Sequence, residues 1–575
     1  MVEELPIAPA LVDPVEMAVT GERLRALCED VGELLVRSAV SSNIKERRDC
    51  STGLFDLRGR LVAQADHMPI HIGSLLWGVR ALLAKVPPED LQPGDAFLCN
   101  DPYAAGGTHL PDISVLSPVF VDGRPAYLVG NIAHHADVGG PVPGSVSGRS
   151  TSIYAEGLRL PLIRLARAGR IDQDLLDLVV LNMREPDDRR HDLLAQLGAN
   201  AKGAELLQAI VRDTGSATLE AAIDDLLAYT RRRIAMAVAA LPDGDYAAER
   251  WLDDDGIGDD PVRLAVRVQV RGSALHVDLT GSGPEAQGAV NLSASSLEAT
   301  LAYCVKALLD PSVPANDGLL QAFTVEAPLG SIVNPRPPAA VAARAVTSNR
   351  LAGCVFQALQ PALPPHRRMA SHNDSTTLVA LAGTRPDGTP FVYPESLGGG
   401  AGAMHGADGA EGVHVHTVNS TNLPVEVLEA HYPLRCHRHA LVTDSGGAGR
   451  WRGGRGIERS LEALVDGLTV TLRSDGHRFP APGLDGGLPG RTTEVLLTRV
   501  GSAPEPLPSK TTLTLMRGDR LTLRTLGGGG LGPPSARPAS TLAHDLAIGA
   551  ISEAAARAAY GDALVEAVLG IAQPA

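Results

Sequence analysis

The chain has 575 residues, with 51 basic and 66 acidic side chains and a formal net charge of −15. A single hydrophobic core seldom extends over a chain this long, so we expect about two to four domains. The acidic balance argues against nucleic acid or an anionic membrane surface as a partner.

The cysteines and the N-terminal residues indicate the cellular compartment in which we expect the protein. The six cysteines are scattered, without a CxxC pair or a disulfide framework, which indicates a reducing environment. Residues 1–17 lack the basic start and the apolar core of a signal peptide. No run approaches the roughly 18 apolar residues of a membrane span. We therefore expect a cytoplasmic protein with no membrane segment.

The first predicted element is a long helix that begins at Pro14, with Asp13 as its N-cap. Apolar residues then recur at helical spacing as far as Leu35. A short strand hairpin is predicted over residues 52–65, with Asp49 just ahead of it. A second helix is predicted from about residue 71 to residue 85.

Residues 100–137 are the most informative stretch of the chain. Two apolar runs, Ile113–Val121 and Ala126–Ala133, flank the pair Asp122-Gly123. This pair is a strong signal for a hairpin turn. The pattern predicts a β-hairpin whose open end brings residues 109–112 beside residues 133–136.

Polar side chains collect at the open end of this hairpin. His109 and Asp112 precede the first strand, and His134 and His135 follow the second. Two imidazoles and a carboxylate can hold a divalent metal, and the carboxylate favours harder, oxygen-preferring ions. The alternative is that these residues are ordinary polar side chains on the rim of a loop.

The register of the hairpin decides which histidine faces Asp112. A two-residue loop pairs Asp112 with Ala133 and places His135 on the same face. A three-residue loop, residues 122–124, pairs Asp112 with His134 instead. A slip of one residue exchanges the whole face of the strand, so the pattern alone leaves both registers open.

The rest of the chain predicts an α+β, multidomain fold. Residues 175–241 are predicted to be mostly helical, strands are predicted at 263–270 and 274–279, and a helix at 296–308. Residues 334–338 mark a linker or a rigid excursion, and short β runs follow from about residue 425. We expect a metal-bearing α/β and helical domain at 1–240, a mixed middle domain at 241–424 and a β-rich domain at 425–575.

Two glycine-rich stretches are candidates for binding loops. Gly527–Gly532 satisfies G-x-G-x-x-G, but it leads into Pro533-Pro534 and not into a helix, whose N-terminus the phosphate needs. No G-x-x-x-x-G-K-[ST] sequence occurs, so we predict no nucleotide site on this chain. Gly398–Gly402 is either a flexible active-site loop or a tight turn.

Several strings resemble the hydantoinase B/oxoprolinase family, in the family's order and over nearly the whole chain. They include SSNIKERRDCSTGLFD, NDPYAAGGTHLPDISVLSPVF, GNIAHHADVGG, NPRPPAAVAARAVTSNR and RSDGHRFPAPGLDGG. The family includes metal-bearing subunits of ATP-dependent hydantoinases and caprolactamase, and the acetone carboxylase alpha subunit.

The resemblance implies roles for particular residues. It maps the family's metal ligands onto Asp49, His109, Asp112 and His134, which favours the three-residue loop. His135 and Asp137 are then candidates for orienting the ligands or for general-base work. His71 is a further catalytic candidate, with a purely structural role as its alternative. The expected metal is Mn, Zn or Fe.

The resemblance also implies a function. We expect the hydrolytic subunit of an ATP-dependent cyclic amidase, in which metal-activated water attacks a carbonyl that a hydantoinase A-like, actin-fold kinase subunit has phosphorylated. The partners would be this kinase, in a hetero-oligomer such as a heterotetramer, and a small cyclic amide. One alternative is the metal-bearing subunit of an acetone- or acetophenone-type carboxylase. Another is a non-catalytic scaffold for the kinase.

Overall fold

The computed structural model of the protein describes residues 10–71 and 74–571. Within these residues the chain forms thirteen α-helices and twenty β-strands. The helices are α1 (Pro14–Ser38), α2 (Ser42–Lys45), α3 (Ser74–Lys85), α4 (Gln173–Leu181), α5 (Pro186–Thr214), α6 (Ser216–Ala239), α7 (Ala294–Leu309), α8 (Asp317–Leu320), α9 (Arg344–Leu359), α10 (Val425–His431), α11 (Ala539–Ala547), α12 (Glu553–Tyr560) and α13 (Asp562–Ile571).

The strands belong to four sheets across the described residues. They are β1 (Cys50–Asp56), β2 (Leu61–Gln64), β3 (Ala96–Cys99), β4 (Asp112–Val121), β5 (Arg124–His134), β6 (Ile163–Arg167), β7 (Arg170–Ile171), β8 (Gly244–Leu252), β9 (Val262–Arg271), β10 (Ala274–Asp278), β11 (Thr324–Glu326), β12 (Thr377–Thr384), β13 (Pro390–Leu397), β14 (Leu434–Leu441), β15 (Ile457–Ala463), β16 (Leu468–Arg473), β17 (Glu494–Thr498), β18 (Glu505–Pro506), β19 (Lys510–Leu515) and β20 (Arg520–Arg524). The sheet orders are β2-β1-β5-β4-β3-β6-β7, β11-β10-β9-β8, β13-β12-β16-β19 and β14-β15-β20-β17-β18.

The seven-stranded sheet is buried on both faces. Successive residues of β1 point to opposite sides of a sheet, and here Leu54 packs into a core with α1, α5 and α6. Phe55 packs into the other core, which includes residues of α3, α7 and α9. The long first helix is confirmed, because Pro14 begins α1 and the Asp13 carboxylate accepts a hydrogen bond from the Val15 N–H at 2.8 Å.

The β4–β5 hairpin combines the two registers that the sequence left open. Its loop has two residues, since Val121 pairs with Arg124. Asp122 and Gly123 both have positive φ, 49° and 74°, as a type I′ turn requires. A β-bulge between Val119 and Phe120 then shifts the pairing by one residue.

As a result, Asp112 pairs with His134. The prediction of a three-residue loop was wrong, because the additional residue lies in the bulge opposite Val119 and Phe120 and not in the turn. The pairing expected from a two-residue loop, Asp112 with Ala133, was wrong for the same reason.

The segment predicted as a linker or excursion, residues 334–338, lies outside the helices and strands, and its residues 336–338 are exposed. One further expectation needs correction. The β-rich C-terminal part ends in three helices, α11 to α13. The hydroxyl of Ser552 caps α12 by accepting from the Ala555 N–H at 3.2 Å.

The α+β fold class is confirmed by these elements. The proposed domain boundaries stay a prediction, and the third sheet joins strands from residues 377–397 with strands from residues 468–515. Across the described part of the chain, no helix combines the length and the apolar character that crossing a membrane requires.

The glycine run at 527–530 forms a tightly packed junction between loops. Its four N–H groups donate to the carbonyls of Arg491, Gly454, Ser371 and Leu488, at 2.9 to 3.1 Å. A Cβ at Gly528 would lie 1.9 Å from the Ala401 carbonyl oxygen. The N–H groups that a phosphate would need are therefore already bonded, and the glycines serve close backbone packing.

The other glycine-rich stretch, Gly398–Gly402, packs against this junction. The N–H of Gly400 donates to the Leu526 carbonyl at 2.9 Å, and a Cβ there would lie 1.8 Å from the Gly454 carbonyl oxygen. The stretch is thus a packed segment of the interior.

We expect Gly528→Ala to destabilise the protein by about 1–3 kcal/mol, because the added methyl group overpacks a junction made of backbone. Gly258→Ala is the matched control, since nothing lies within 4 Å of a Cβ at this exposed position. Its effect should stay within about 0.5 kcal/mol. The midpoint of thermal unfolding measures both, and equal midpoints for the two variants would contradict the packing role.

Candidate metal centre

Three buried side chains meet at the open end of the β4–β5 hairpin. His109 lies just before β4, Asp112 is the first residue of β4, and His134 is the last residue of β5. One ligand atom from each lies within 4.8 Å of the others, and this is the one such His/Cys/Asp/Glu group found among the described residues. The Nε2 of His109 lies 3.3 Å from the Asp112 Oδ1. We call these residues the His–Asp–His group.

Neighbouring residues orient each member of the group. The Nδ1 of His109 donates to the Ala342 carbonyl at 3.0 Å, so the Nε2 keeps its lone pair. The Asp112 Oδ2 accepts from the Nη2 of Arg344 at 2.6 Å and from the Thr108 hydroxyl. The carboxylate therefore turns its Oδ1 toward His109.

His134 is held through the side chain of Asn43. The Asn43 amide group donates to the carbonyl oxygen of His134 at 2.6 Å, and its nitrogen lies 3.0 Å from the Nδ1 of the His134 ring. The guanidinium of Arg47 donates to the Asn43 Oδ1, which fixes the orientation of the amide. These contacts link α2 and the residues after it to the end of β5.

The His–Asp–His group fits a divalent cation. Neither the Nε2 of His109 nor the Oδ1 of Asp112 has a hydrogen-bond partner among the described residues, although both atoms are buried. Buried acceptors without a partner are costly, and a bound cation would satisfy both. Two imidazole nitrogens and a carboxylate oxygen form a donor set that suits Zn, Mn or Fe.

The electrostatics hold the group in the protonation states that metal binding needs. Burial lowers the pKa of His109 and holds that of His134 well below the usual range, so both rings are neutral at pH 7. Burial opposes the ionisation of Asp112, but the buried Arg344 guanidinium, which is charged at pH 7, favours it, and the pKa of Asp112 is held well below the usual range.

Asp49, the fourth ligand that the family resemblance implies, lies beside the group but is not part of it. Its carbonyl accepts from the N–H of His134 at 3.0 Å. Burial raises the pKa of its carboxyl group to about 6, the nearby Asp112 adds to this, and Arg47 opposes it. Its role as a ligand stays a prediction.

His71 contacts the group, whereas the other two catalytic candidates lie outside it. The Nε2 of His71 is 3.8 Å from the Asp112 Oδ2, and its Nδ1 is 2.9 Å from the Ser51 hydroxyl. His135 points to the opposite side of β5 from His134, and its Nε2 lies 3.0 Å from the Gln196 Oε1 of α5.

Asp137 is fully hydrogen-bonded by its own loop and by Arg184. Its two oxygens accept from the N–H groups of Gly139 and Gly144 and from Arg184, at 2.7 to 3.1 Å. These hydrogen bonds give the buried Asp137 a structural role. Its catalytic role, like that of His135, stays a prediction.

The residue-by-residue reasoning missed Arg344, the ion-pair partner of Asp112. Arg344 is the first residue of α9 and is 5% exposed. It stands within the string that carries the family resemblance, but the proline-rich start of that string was interpreted as a linker. Arg473 was missed too, and its Nη1 donates at 3.0 Å to the same Ala342 carbonyl that His109 contacts.

Known proteins are similar to this chain in sequence and in fold. The sequence profile of hydantoinase B/oxoprolinase matches residues 13–534. Caprolactamase subunit beta of Pseudomonas jessenii is 30% identical over 562 residues, which cover 96% of each chain. The 5-oxoprolinase PfmaA of Pestalotiopsis fici is 29% identical over 91% of this chain, but the chain spans only 42% of that protein.

A solved structure agrees with these relatives. The crystal structure of the ATP-dependent caprolactamase from Pseudomonas jessenii matches with a TM-score of 0.88 and 28% identity, covering 97% of this chain and 100% of that chain. With the profile covering most of its length, the chain belongs to the hydantoinase B/oxoprolinase family.

Proposed function

We propose that the chain is the hydrolytic subunit of an ATP-dependent cyclic amide hydrolase and works with a separate, actin-like kinase subunit in a hetero-oligomer. The observation that carries the proposal is the buried His–Asp–His group with its two unpaired acceptor atoms. The names of the relatives support it, because one is a subunit of a caprolactamase and another is an oxoprolinase.

A cyclic amide resists hydrolysis because resonance makes its carbonyl a poor electrophile. Transfer of a phosphoryl group from ATP to the carbonyl oxygen, by the kinase, would make the carbonyl carbon a better electrophile for water. After water adds to this carbon, the ring C–N bond breaks and the nitrogen takes up a proton. A second water then releases phosphate from the resulting acyl phosphate by attack at phosphorus, which leaves the ring-opened carboxylate. A divalent metal, when bound, acts as a Lewis acid and lowers the pKa of water toward neutrality.

The chain's own residues would prepare the site for this reaction. Arg344 keeps Asp112 ionised and fixes its orientation, and Ala342 fixes the ring of His109. The buried guanidinium of Arg473 donates to the same Ala342 carbonyl as His109, and together with Arg344 it would favour an anionic, phosphorylated substrate.

His71 is the proposed proton acceptor at the site. Burial lowers its pKa to about 4, so the ring is neutral at pH 7 and can take up a proton. Its Nε2 lies 3.8 Å from the Asp112 carboxylate, which would stabilise the protonated ring.

The first test concerns the metal. We expect His109→Ala and His134→Ala each to lower the affinity for a divalent ion by more than about tenfold, since each removes a ligand. Elemental analysis of the purified proteins after dialysis measures the metal content. His135→Ala is the control and should retain the metal. Undiminished metal in both ligand variants would contradict the site.

The second test concerns the division of labour. We expect the isolated chain neither to bind ATP at micromolar concentrations nor to hydrolyse it, because the N–H groups of its glycine run donate to protein carbonyls. Calorimetry with ATP and Mg²⁺ on the purified chain measures this. Micromolar binding by the chain alone would overturn the need for a kinase subunit.

The third test concerns the reaction. Combined with its kinase subunit, the protein should open a five- to seven-membered cyclic amide and consume ATP. Since water is the proposed nucleophile, a reaction in oxygen-18 water should place one solvent oxygen in the new carboxylate, as mass spectrometry would show. Turnover that requires bicarbonate and adds carbon to the product would establish a carboxylase instead.

A further inference from the structure

A second polar cluster surrounds a cavity on a later part of α9, away from the metal centre. The cavity is lined by Gly353, Phe356 and Gln357 of α9, and by His372, Asp374 and Leu484 among others. Gly353 comes nine residues after Arg344, which is about 14 Å along a helix. The cavity volume is about 50 Å³, enough for about four water molecules.

His372 presents an N–H group to this cavity. Its Nδ1 accepts a hydrogen bond from the N–H of Gly402 at 2.9 Å, so the proton of the neutral ring is on Nε2. The Nε2 of His372 has no hydrogen-bond partner among the described residues. The residue is only partly buried. Burial, helped by His416 and opposed by Asp374, lowers the pKa of His372 to about 4. The cavity therefore contains an uncharged donor at neutral pH.

Asp374 and His416 make the wall behind this donor rigid. The Asp374 Oδ1 is 2.7 Å from the His416 Nε2, and its Oδ2 is 3.3 Å from the Arg250 guanidinium. The His416 ring packs 5.1 Å from that of His372. A Cβ at Gly353 would lie 2.2 Å from the Asp374 Oδ2, so glycine leaves the space that the carboxylate fills.

The side chains that line the cavity indicate which class of ligand it can bind. The one anionic group that lines the cavity, Asp374, is balanced by Arg250. An anion would need a cation in the wall, whereas a neutral N–H suits the oxygen of a neutral carbonyl. The ring of Phe356 and the side chain of Leu484 offer apolar surface beside it. Gln357, exposed at the rim, has a side-chain amide that can pair with an N–H group.

We propose that this cavity binds the amide group of a small neutral ligand, with the carbonyl oxygen on the Nε2–H of His372 and the amide N–H on the side chain of Gln357. A cyclic amide belongs to this class of ligand. Binding here needs neither the metal nor ATP, so the proposal does not rest on the proposed reaction.

The probe for the test is 2-pyrrolidinone, a five-membered cyclic amide, titrated into the full-length chain and followed by ligand-observed NMR. We expect saturable binding that His372→Phe weakens by about tenfold or more, as the loss of one hydrogen bond implies. His405→Phe is the matched control, because this exposed histidine packs beside Trp451, with ring centres 4.8 Å apart, outside the cavity. It should bind the probe like the unmodified chain.

His109→Ala separates the cavity from the metal centre and should also bind like the unmodified chain. The proposal is overturned if the probe does not saturate, if His372→Phe binds it unchanged, or if His109→Ala loses it. If His372→Phe does not fold, Met369→Trp replaces it, since Met369 is a partly buried residue of the cavity wall. This bulkier side chain should block binding, and retained binding would overturn the proposal. An absence of ring opening with the kinase would leave all these results unchanged.

Discussion

The ion pair between Arg344 and Asp112 is the interaction on which the geometry of the candidate metal centre depends. Both side chains are almost fully buried, and their closest atoms are 2.6 Å apart. A buried charge is tolerated when it is paired and hydrogen-bonded, and the Thr108 hydroxyl completes the arrangement by contacting both partners. Because the pair occupies one oxygen of Asp112, the other oxygen faces His109. The same pair joins α9 to the first sheet.

The turn residues made part of the site predictable, but the β-bulge that sets the final register was not predictable from them. Asp122-Gly123 identifies a hairpin in any context, and the apolar runs beside it fix the two strands. The bulge near Val119 has no comparable signature. The family resemblance led to the correct pairing of Asp112 with His134, but through a loop that was one residue too long.

Contacts between distant segments were beyond the reach of sequence patterns. The position of His109 depends on the carbonyl of Ala342, which lies 233 residues away. Nothing in the apolar periodicity near residue 109 points to that partner. The C-terminal helices were missed for a different reason, since the short β runs predicted from about residue 425 were extended to the end of the chain. The tight packing of Gly528 likewise depends on two other loops, which contain Ala401 and Gly454.

The sequence does not show whether an individual polar atom has a hydrogen-bond partner. Asp137 and Asp112 are both buried aspartates in the same motif, yet every oxygen of Asp137 is hydrogen-bonded and one oxygen of Asp112 is not. The unpaired atoms of the His–Asp–His group are acceptors, and a cation is the species that satisfies a cluster of acceptors. The Nε2–H of the partly buried His372 is an uncharged donor in a cavity with apolar surface, which suits a neutral carbonyl. One helix, α9, thus contributes to two sites of opposite hydrogen-bonding character, buried acceptors at one and an uncharged donor at the other.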